Sequence, residues 1–267
     1  MTNVKASSIS DIAQPLIEAR DLVKVFGGLR AVDGMSIALN RGEMLGLIGP
    51  NGAGKTTLFN LLAGSLRPSE GRICVAGHDL TRYGADRRLG AGLGRTFQIP
   101  RPFAEMSVLE NVLTGRQDQL GERLWMNVLT PGRVASEERA AVEKARNLLD
   151  FVTLSKLEHE PARVLSGGQR KLLELARILM ADPQAILLDE PAAGVNPTML
   201  ELIIDRVLEL NAQGKSILLI EHNMDMVARL CGRVVVMAGG RHLTEGRPDD
   251  VARDPAVIDA YLGGVHR

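Results

Sequence analysis

The sequence predicts an α/β fold on the strength of three observations. A glycine-rich loop, GPNGAGKT (residues 49–56), follows a short apolar run at residues 44–48 and leads into a helical pattern over residues 55–63. Two more apolar runs, residues 185–188 and 216–220, have the length and the turn boundaries of buried parallel strands. From about residue 97 to residue 180 the pattern is mainly helical. We therefore expect a parallel sheet interrupted by a helical insert.

Local patterns predict the other elements in chain order. Residues 1–14 are polar and predict a tail, residues 16–26 alternate as an edge-type strand would, and residues 72–75 predict another strand. Gly64 and then Pro68 end the helix that follows the loop. A capping box from Ser107 to Glu110 begins the helical part, which resumes at residues 137–151. We interpret residues 115–133 as a long surface excursion. Gly239 and Gly240 predict a hairpin between residues 234–238 and 241–245, followed by a short helical tail.

The composition limits the kind of protein this can be. A chain of 267 residues is long enough for one α/β domain with an inserted subdomain. Its 32 acidic and 32 basic residues balance, so no overall field favours nucleic acid or an anionic membrane. Cys74, Cys231 and the five histidines show no metal-ligand spacing. No apolar run approaches the roughly 18 residues that span a bilayer, and the first residues lack an apolar signal region. We expect a soluble chain in a reducing compartment.

The glycine-rich loop fits the pattern G-x-x-x-x-G-K-[ST], which binds phosphate through backbone N–H groups and the start of the following helix. Lys55 would place its charge against the β- and γ-phosphates, and Thr56 would offer its hydroxyl to Mg²⁺. An ordinary glycine-rich strand-to-helix turn is the alternative. The predicted phosphate-binding residues are Gly49, Pro50, Asn51, Gly52, Ala53, Gly54, Lys55, Thr56 and Thr57.

Three more strings follow the loop in fixed order: LSGGQ (residues 165–169), ILLDE (residues 186–190) and IEH (residues 220–222). Ser166 could be no more than a helix N-cap, but two glycines before a helix suit a bare backbone aimed at a phosphate. Asp189 and Glu190 follow a buried strand, where open α/β sheets bind ligands, although acids at strand ends are usually just solvated. A lone histidine such as His222 is more often structural.

The order and spacing of these four strings resemble the ATP-binding cassette ATPases. The resemblance implies a P-loop NTPase (RecA-like) core with an antiparallel β subdomain and an inserted α-helical signature subdomain. It implies ATP and Mg²⁺ as cofactors. Asp189 would order Mg²⁺, often through water, Glu190 would activate the attacking water, and His222 would contact the γ-phosphate. The signature residues would contact ATP held by the opposite subunit, so that catalysis needs two cassettes; they are Ser166, Gly167, Gly168 and Gln169.

The resemblance also assigns roles to less distinctive positions. Gln98 stands where the family has its glutamine loop, which senses Mg²⁺ and the γ-phosphate, and Phe26 stands where an aromatic side chain stacks on adenine. Asn196 replaces the usual aspartate of the D-loop, and Asn196 with Pro197 also suits a helix N-terminus. We expect five segments: a tail at 1–14, core at 15–96, helical signature subdomain at 97–180, core again at 181–245, and a helical tail at 246–267.

A narrower resemblance rests on five short sequence segments: FGGLRAV (26–32), RTFQIPRPF (95–103), EPAAGVNP (190–197), IEHNM (220–224) and DPAVIDAYLG (254–263). These strings are similar to the ATPase subunits of branched-chain amino acid uptake systems, whose relatives carry urea, amides and similar solutes. The resemblance implies as partners a second, similar ATPase, two permeases and, indirectly, a solute-binding protein, with the chain at the cytoplasmic face of the plasma membrane. Phe97, the residues at 100–103 and Trp125 would then face a permease, or simply pack in the core.

Other readings of the motifs stay open. The ATPase of lipopolysaccharide export shares the Ala-Gly-Val wording and the Glu-His pair. A soluble cassette protein of translation or DNA repair belongs to another class; such proteins normally carry two cassettes or a very long coiled coil, and this sequence shows neither. A regulatory subunit that does not hydrolyse ATP is disfavoured because Lys55, Asp189, Glu190 and His222 are all present.

Overall fold

A computed structural model describes residues 14–96, 101–117 and 131–262 of the chain. Its strands are β1 (Ile17–Phe26), β2 (Leu29–Leu39), β3 (Met44–Ile48), β4 (Glu70–Val75), β5 (His78–Asp79), β6 (Leu93–Arg95), β7 (Ala185–Asp189), β8 (Ser216–Ile220), β9 (Arg233–Ala238) and β10 (Arg241–Gly246). Its α-helices are α1 (Lys55–Leu62), α2 (Ala85–Gly90), α3 (Val108–Leu113), α4 (Pro131–Phe151), α5 (Gly167–Leu179), α6 (Pro197–Ala212), α7 (Met224–Leu230), α8 (Pro248–Val251) and α9 (Pro255–Leu262).

The larger sheet has six strands in the order β10-β9-β3-β8-β7-β6. The strands from β9 to β6 pair in parallel, and β10 pairs antiparallel with β9 in the hairpin that the two glycines predict. Strands β7 and β8 are buried along their whole length, which is why they appear in the sequence as unbroken apolar runs. Strands β3, β7 and β8 end at one edge of the sheet, so Gly49, Glu190 and Glu221 emerge together there.

The smaller sheet is antiparallel, in the order β2-β1-β4-β5. Strand β1 pairs with β2 on one side and with β4 on the other, so the prediction of an edge-type strand at residues 16–26 is wrong. Alternation of apolar and polar residues indicates a strand with one buried and one exposed face. An interior strand of an antiparallel sheet that is covered on one side also has two such faces, so alternation does not distinguish it from an edge strand.

Neighbouring residues of the parallel strands pack into two different apolar cores. Leu187 and Leu218 belong to the core that the two sheets form around α1. Leu188 and Leu219 belong to the core on the opposite face, which α3 to α7 cover. A parallel sheet that is covered on both faces is the expected architecture for an α/β fold.

Several helix boundaries match the sequence signals. Ser107 and Glu110 form the predicted capping box, and Asn196 accepts a hydrogen bond from the Met199 N–H with Pro197 at the first position of α6. Helix α4 spans Pro131–Phe151, so its first described residues lie within the stretch that we interpreted as a surface excursion. In the described ranges no helix is long and apolar enough to cross a bilayer.

Candidate active site

An open cleft of about 430 Å³ lies at the carboxyl ends of the parallel strands. Most of the predicted phosphate loop lines it, and so do Glu190 and His222, which sequence spacing separates from the loop by more than a hundred residues. The start of β2 and the hairpin turn between β9 and β10 complete its walls. The lining residues are Leu29, Arg30, Ala31, Asn51, Gly52, Ala53, Gly54, Lys55, Thr56, Thr57, Glu190, His222, Gly239 and Gly240.

The glycine-rich loop needs glycine at its two ends. Gly49 has φ 147°, and a Cβ there would overlap the carbonyl oxygen of Met237. Gly54 has φ 97°, and a Cβ would overlap the carbonyl oxygen of Ala31. Helix α1 begins directly after Gly54, which supplies no side-chain cap. The first N–H groups of the helix and its positive dipole end therefore point at the cleft, which suits phosphate oxygens.

Lys55 is buried beneath the loop. Its ammonium donates to the carbonyl oxygens of Gly49 at 2.6 Å and Pro50 at 3.0 Å. Burial lowers the pKa of Lys55, and the Glu190 carboxylate opposes that shift. The side chain thus brings a desolvated positive charge to the floor of the cleft, where an anionic ligand would compensate it.

Glu190 and His222 form a pair across the cleft from the loop. The His222 Nε2 atom lies 3.1 Å from the Glu190 Oε1 atom. Glu190 has φ 48°, an uncommon value for a residue with a side chain, whereas Asp189 before it completes β7. This change of backbone conformation directs the two adjacent carboxylates to different surroundings, as the sequence predicts.

Asp189 lies behind the cleft surface, almost fully buried. Its Oδ2 atom is 3.1 Å from the Arg95 Nη2, and Arg95 also donates to the Asn60 Oδ1 at 2.6 Å. Burial raises the pKa of Asp189, and Arg95 opposes that shift without reversing it. The Asp189 Oδ1 atom is buried without a protein hydrogen-bond partner. A carboxylate oxygen with unused capacity matches the oxygen ligands that Mg²⁺ prefers, and the recessed position suits contact through water.

Two side chains that the sequence analysis passed over hold the turn after β7. The Lys171 ammonium donates to the carbonyl oxygens of Glu190 at 2.6 Å and Pro191 at 3.1 Å. The Glu221 Oε1 atom accepts a hydrogen bond from the Ala192 N–H at 2.6 Å, and its Oε2 atom accepts from the N–H groups of His222 and Asn223. Glu221 is buried directly after a buried strand, and that position was the available signal.

The signature residues begin α5 and, in the described part of the chain, do not line the cleft. Ser166 and Gln169 form a reciprocal capping box, so the N-cap interpretation of Ser166 holds. Gly168 is buried, and a Cβ there would overlap Met199 of α6. Gly167 is exposed, and a Cβ there would have ordinary room, 3.7 Å from the carbonyl oxygen of Gly194. Packing within the chain therefore explains Gly168 and leaves Gly167 unexplained.

The remaining predicted site residues lie apart from the cleft or outside the described residues. Phe26 is exposed beside it, with the Lys24 ammonium 5.1 Å from the ring centroid, so adenine stacking stays a prediction. Gln98, together with Phe97, Pro100 and Trp125, falls outside the described residues.

Comparisons with known proteins show which sequences and structures the chain resembles. The family model described as ABC transporter matches residues 32–193, and one described as branched-chain amino acid ATP-binding cassette transporter matches residues 241–267. The chain is 40% identical to the probable branched-chain amino acid transport ATP-binding protein LivG of Archaeoglobus fulgidus over 93% of this chain and 95% of the relative. It is 37% identical to the high-affinity LivG protein of Salmonella typhimurium over 94% and 99%.

Solved structures show the same likeness. A nucleotide-free ATP-binding cassette from an ABC transporter superposes with a TM-score of 0.81 at 38% identity, covering 93% of this chain and 99% of the other. A cassette in its ADP conformation gives a TM-score of 0.79 at 38% identity, covering 94% and 100%. The P-loop cassette fold that the motifs predict is therefore confirmed.

Proposed function

This chain belongs to the ABC transporter family of ATPases, and from that premise we propose that the cleft binds ATP with Mg²⁺ and hydrolyses its γ-phosphate bond. The observation that carries the proposal is the Glu190–His222 pair, 3.1 Å apart, in the same cleft as the phosphate loop. The strand ends bring these groups together from three separate parts of the chain.

Each residue of the cleft has a distinct part in the proposed reaction. The loop N–H groups and the Lys55 ammonium bind and neutralise the phosphate oxygens. Glu190 accepts the proton of the attacking water, and His222 orients its carboxylate. Thr56 and, through water, Asp189 would hold Mg²⁺, which when bound neutralises charge on the phosphate oxygens. Gln98 would complete this set.

We further propose that a second cassette supplies the signature for this cleft. Gly167 supports the proposal, because its missing side chain has no use within its own chain while its backbone is exposed at the start of a helix. ATP would then lie between the cleft of one cassette and the Ser166–Gln169 turn of the other, and hydrolysis would release the pair.

The partners and cargo follow from the relatives. Proteins that share 35–41% of the sequence over at least 93% of this chain are named as branched-chain amino acid transport ATP-binding proteins. We propose that this chain works at the cytoplasmic face of the membrane with two permeases and a second, similar ATPase. It would energise import of branched-chain amino acids or related small solutes.

One variant and one cargo assay test the proposal. Glu190→Gln should leave ATP binding intact and slow turnover by roughly 10²- to 10⁴-fold, the usual loss for a positioned base. Normal turnover in that variant would refute the role of Glu190. To test the cargo, the complex with permeases and binding protein is assayed for ATP hydrolysis with a panel of solutes. Stimulation by leucine-like solutes or small amides supports the proposal, whereas activity that ignores all of them contradicts it.

A further inference from the structure

We propose that Lys171 is a positioning residue that fixes the turn carrying Glu190 and ties this turn to the signature helix α5. The inference rests on the proposed role of Glu190 as the base. It concerns the side chain on α5 whose ammonium donates to the Glu190 and Pro191 carbonyl oxygens, at 2.6 Å and 3.1 Å.

The turn requires such support because of its backbone. Glu190 leaves β7 with φ 48°, a conformation that residues with a side chain adopt only where the surroundings hold it. Its N–H still donates to the Ile220 carbonyl oxygen at 3.0 Å, whereas its carbonyl has left the ladder and faces Lys171. The same carbonyl accepts a hydrogen bond from the Ala193 N–H at 3.1 Å, so the peptide after Glu190 is held both within the turn and by a side chain from α5.

Lys171 and Glu221 bind opposite ends of the same turn. Lys171 takes the carbonyl oxygens of residues 190 and 191, while Glu221 takes the N–H group of Ala192 at 2.6 Å. Glu221 also binds the N–H of His222, so the two side chains together set where Glu190 and His222 meet. Both hydrogen-bond acceptors of Lys171 are main-chain oxygens, so its hydrogen bonds fix the geometry of the turn. Its charge also acts on the nearby carboxylates of Glu221, Glu174, Glu190 and Asp189, and a neutral variant that keeps an N–H donor separates the two effects.

The position of Lys171 on α5 gives the contact its significance. It lies four residues after the exposed Gly167, in the second turn of the helix. Burial lowers the pKa of the Lys171 ammonium, consistent with a group enclosed between the helix and the turn. A movement of the signature end of α5 moves the Lys171 ammonium, and the turn at Glu190 with it. Engagement of the signature would thus reach the base through one side chain.

The test measures kcat and KM for ATP in the assembled cassette dimer made with the full-length chain. Lys171→Met keeps the length of the side chain and removes the donors, and it should lower kcat by about 10- to 100-fold with KM unchanged, because a small displacement of a catalytic group has this effect. Lys171→Arg should restore most of the rate, and Lys171→Gln, which keeps an N–H donor, should lie between. Lys144→Met is the matched control, since the Lys144 ammonium also donates to a main-chain oxygen, that of Met180 at 2.9 Å, away from the cleft.

A double variant separates positioning from a general effect on the fold. If Lys171 acts only through Glu190, then Lys171→Met should cause no further loss in the Glu190→Gln background, and its unfolding midpoint should match that of the Lys144→Met control. If the falls in kcat of the two single variants multiply in the double variant, this inference alone is overturned. The same holds if Lys171→Met is fully active while Glu190→Gln is impaired. A fully active Glu190→Gln would instead overturn the proposed base, and this inference with it.

Discussion

The buried carboxylate of Glu221 offers a sharp test of how the turn and the histidine loop are held. Glu221→Gln keeps size and shape but leaves one acceptor oxygen for three N–H donors, those of Ala192, His222 and Asn223. Whichever way the new side-chain amide is turned, at least one hydrogen bond to a charged acceptor is lost, which costs about 1.5–3 kcal/mol. The hydrogen bonds that remain are weaker because their acceptor is now neutral. We expect a total loss of about 2–3 kcal/mol.

The assay is thermal unfolding of the full-length chain, followed by steady-state ATP hydrolysis. For a domain of this size, 2–3 kcal/mol corresponds to a fall of about 4–12 °C in the unfolding midpoint. Turnover should fall as well, since the Ala192 and His222 backbones flank the proposed catalytic pair. The control is Glu209→Gln, which removes a surface carboxylate 2.6 Å from Arg206 and should cost less than about 1 kcal/mol. Equal midpoints for the two variants would refute the reasoning.

Four other substitutions give separable outcomes. Asp189→Asn should abolish Mg²⁺-dependent hydrolysis yet raise the unfolding midpoint at pH 7. The pKa of Asp189 is raised in the folded chain, so the ionised carboxylate destabilises the folded state relative to the unfolded state at that pH. This gain should vanish below about pH 4, where the wild-type carboxyl is protonated in both the folded and the unfolded state. Gly167→Ala should unfold like wild type but hydrolyse ATP slowly, whereas Gly168→Ala, which meets Met199, should be destabilised; the opposite pattern in melting curves would contradict our assignment. Lys55→Ala should weaken ATP binding in equilibrium titrations, and an unchanged dissociation constant would exclude its proposed contact with the phosphates.

Much of the core fold could be predicted because buried strands produce a simple pattern of apolar residues in the sequence. Strands β7 and β8 are covered on both faces, so residues 185–188 and 217–220 form apolar runs that are easy to recognise. Strand β2 carries no such pattern. Its buried Val32 and Met35 are three residues apart, with Gly34 between them at φ 73°, and its pairing with β1 shifts register in this region. A bulge breaks the period of two on which recognition depends.

Within the site, the sequence is most informative where a local backbone conformation demands a residue type. Gly49 and Gly54 are required by positive φ and by main-chain oxygens that exclude a Cβ, so the loop is visible as a string of letters. Phe26 was assigned by position alone, and the cleft wall begins with Leu29 instead. Stacking on a flat face imposes no local pattern that a sequence could reveal.

Lys171 and Glu221 belong to a class of residue that motifs do not expose. Both act on main-chain atoms, Lys171 on carbonyl oxygens 19 and 20 residues away and Glu221 on an N–H group 29 residues away. Every residue type except proline supplies both a main-chain N–H and a main-chain carbonyl. The positions that Lys171 and Glu221 contact therefore require no particular side chain, and the sequence shows no matching residue there. What such contacts require is an uncommon backbone conformation at a strand end, as at Glu190, and a buried charge within reach of it. The position of Glu221 after a buried strand is a weak sequence signal, whereas the backbone conformation at Glu190 and the reach of Lys171 are visible only in the folded structure.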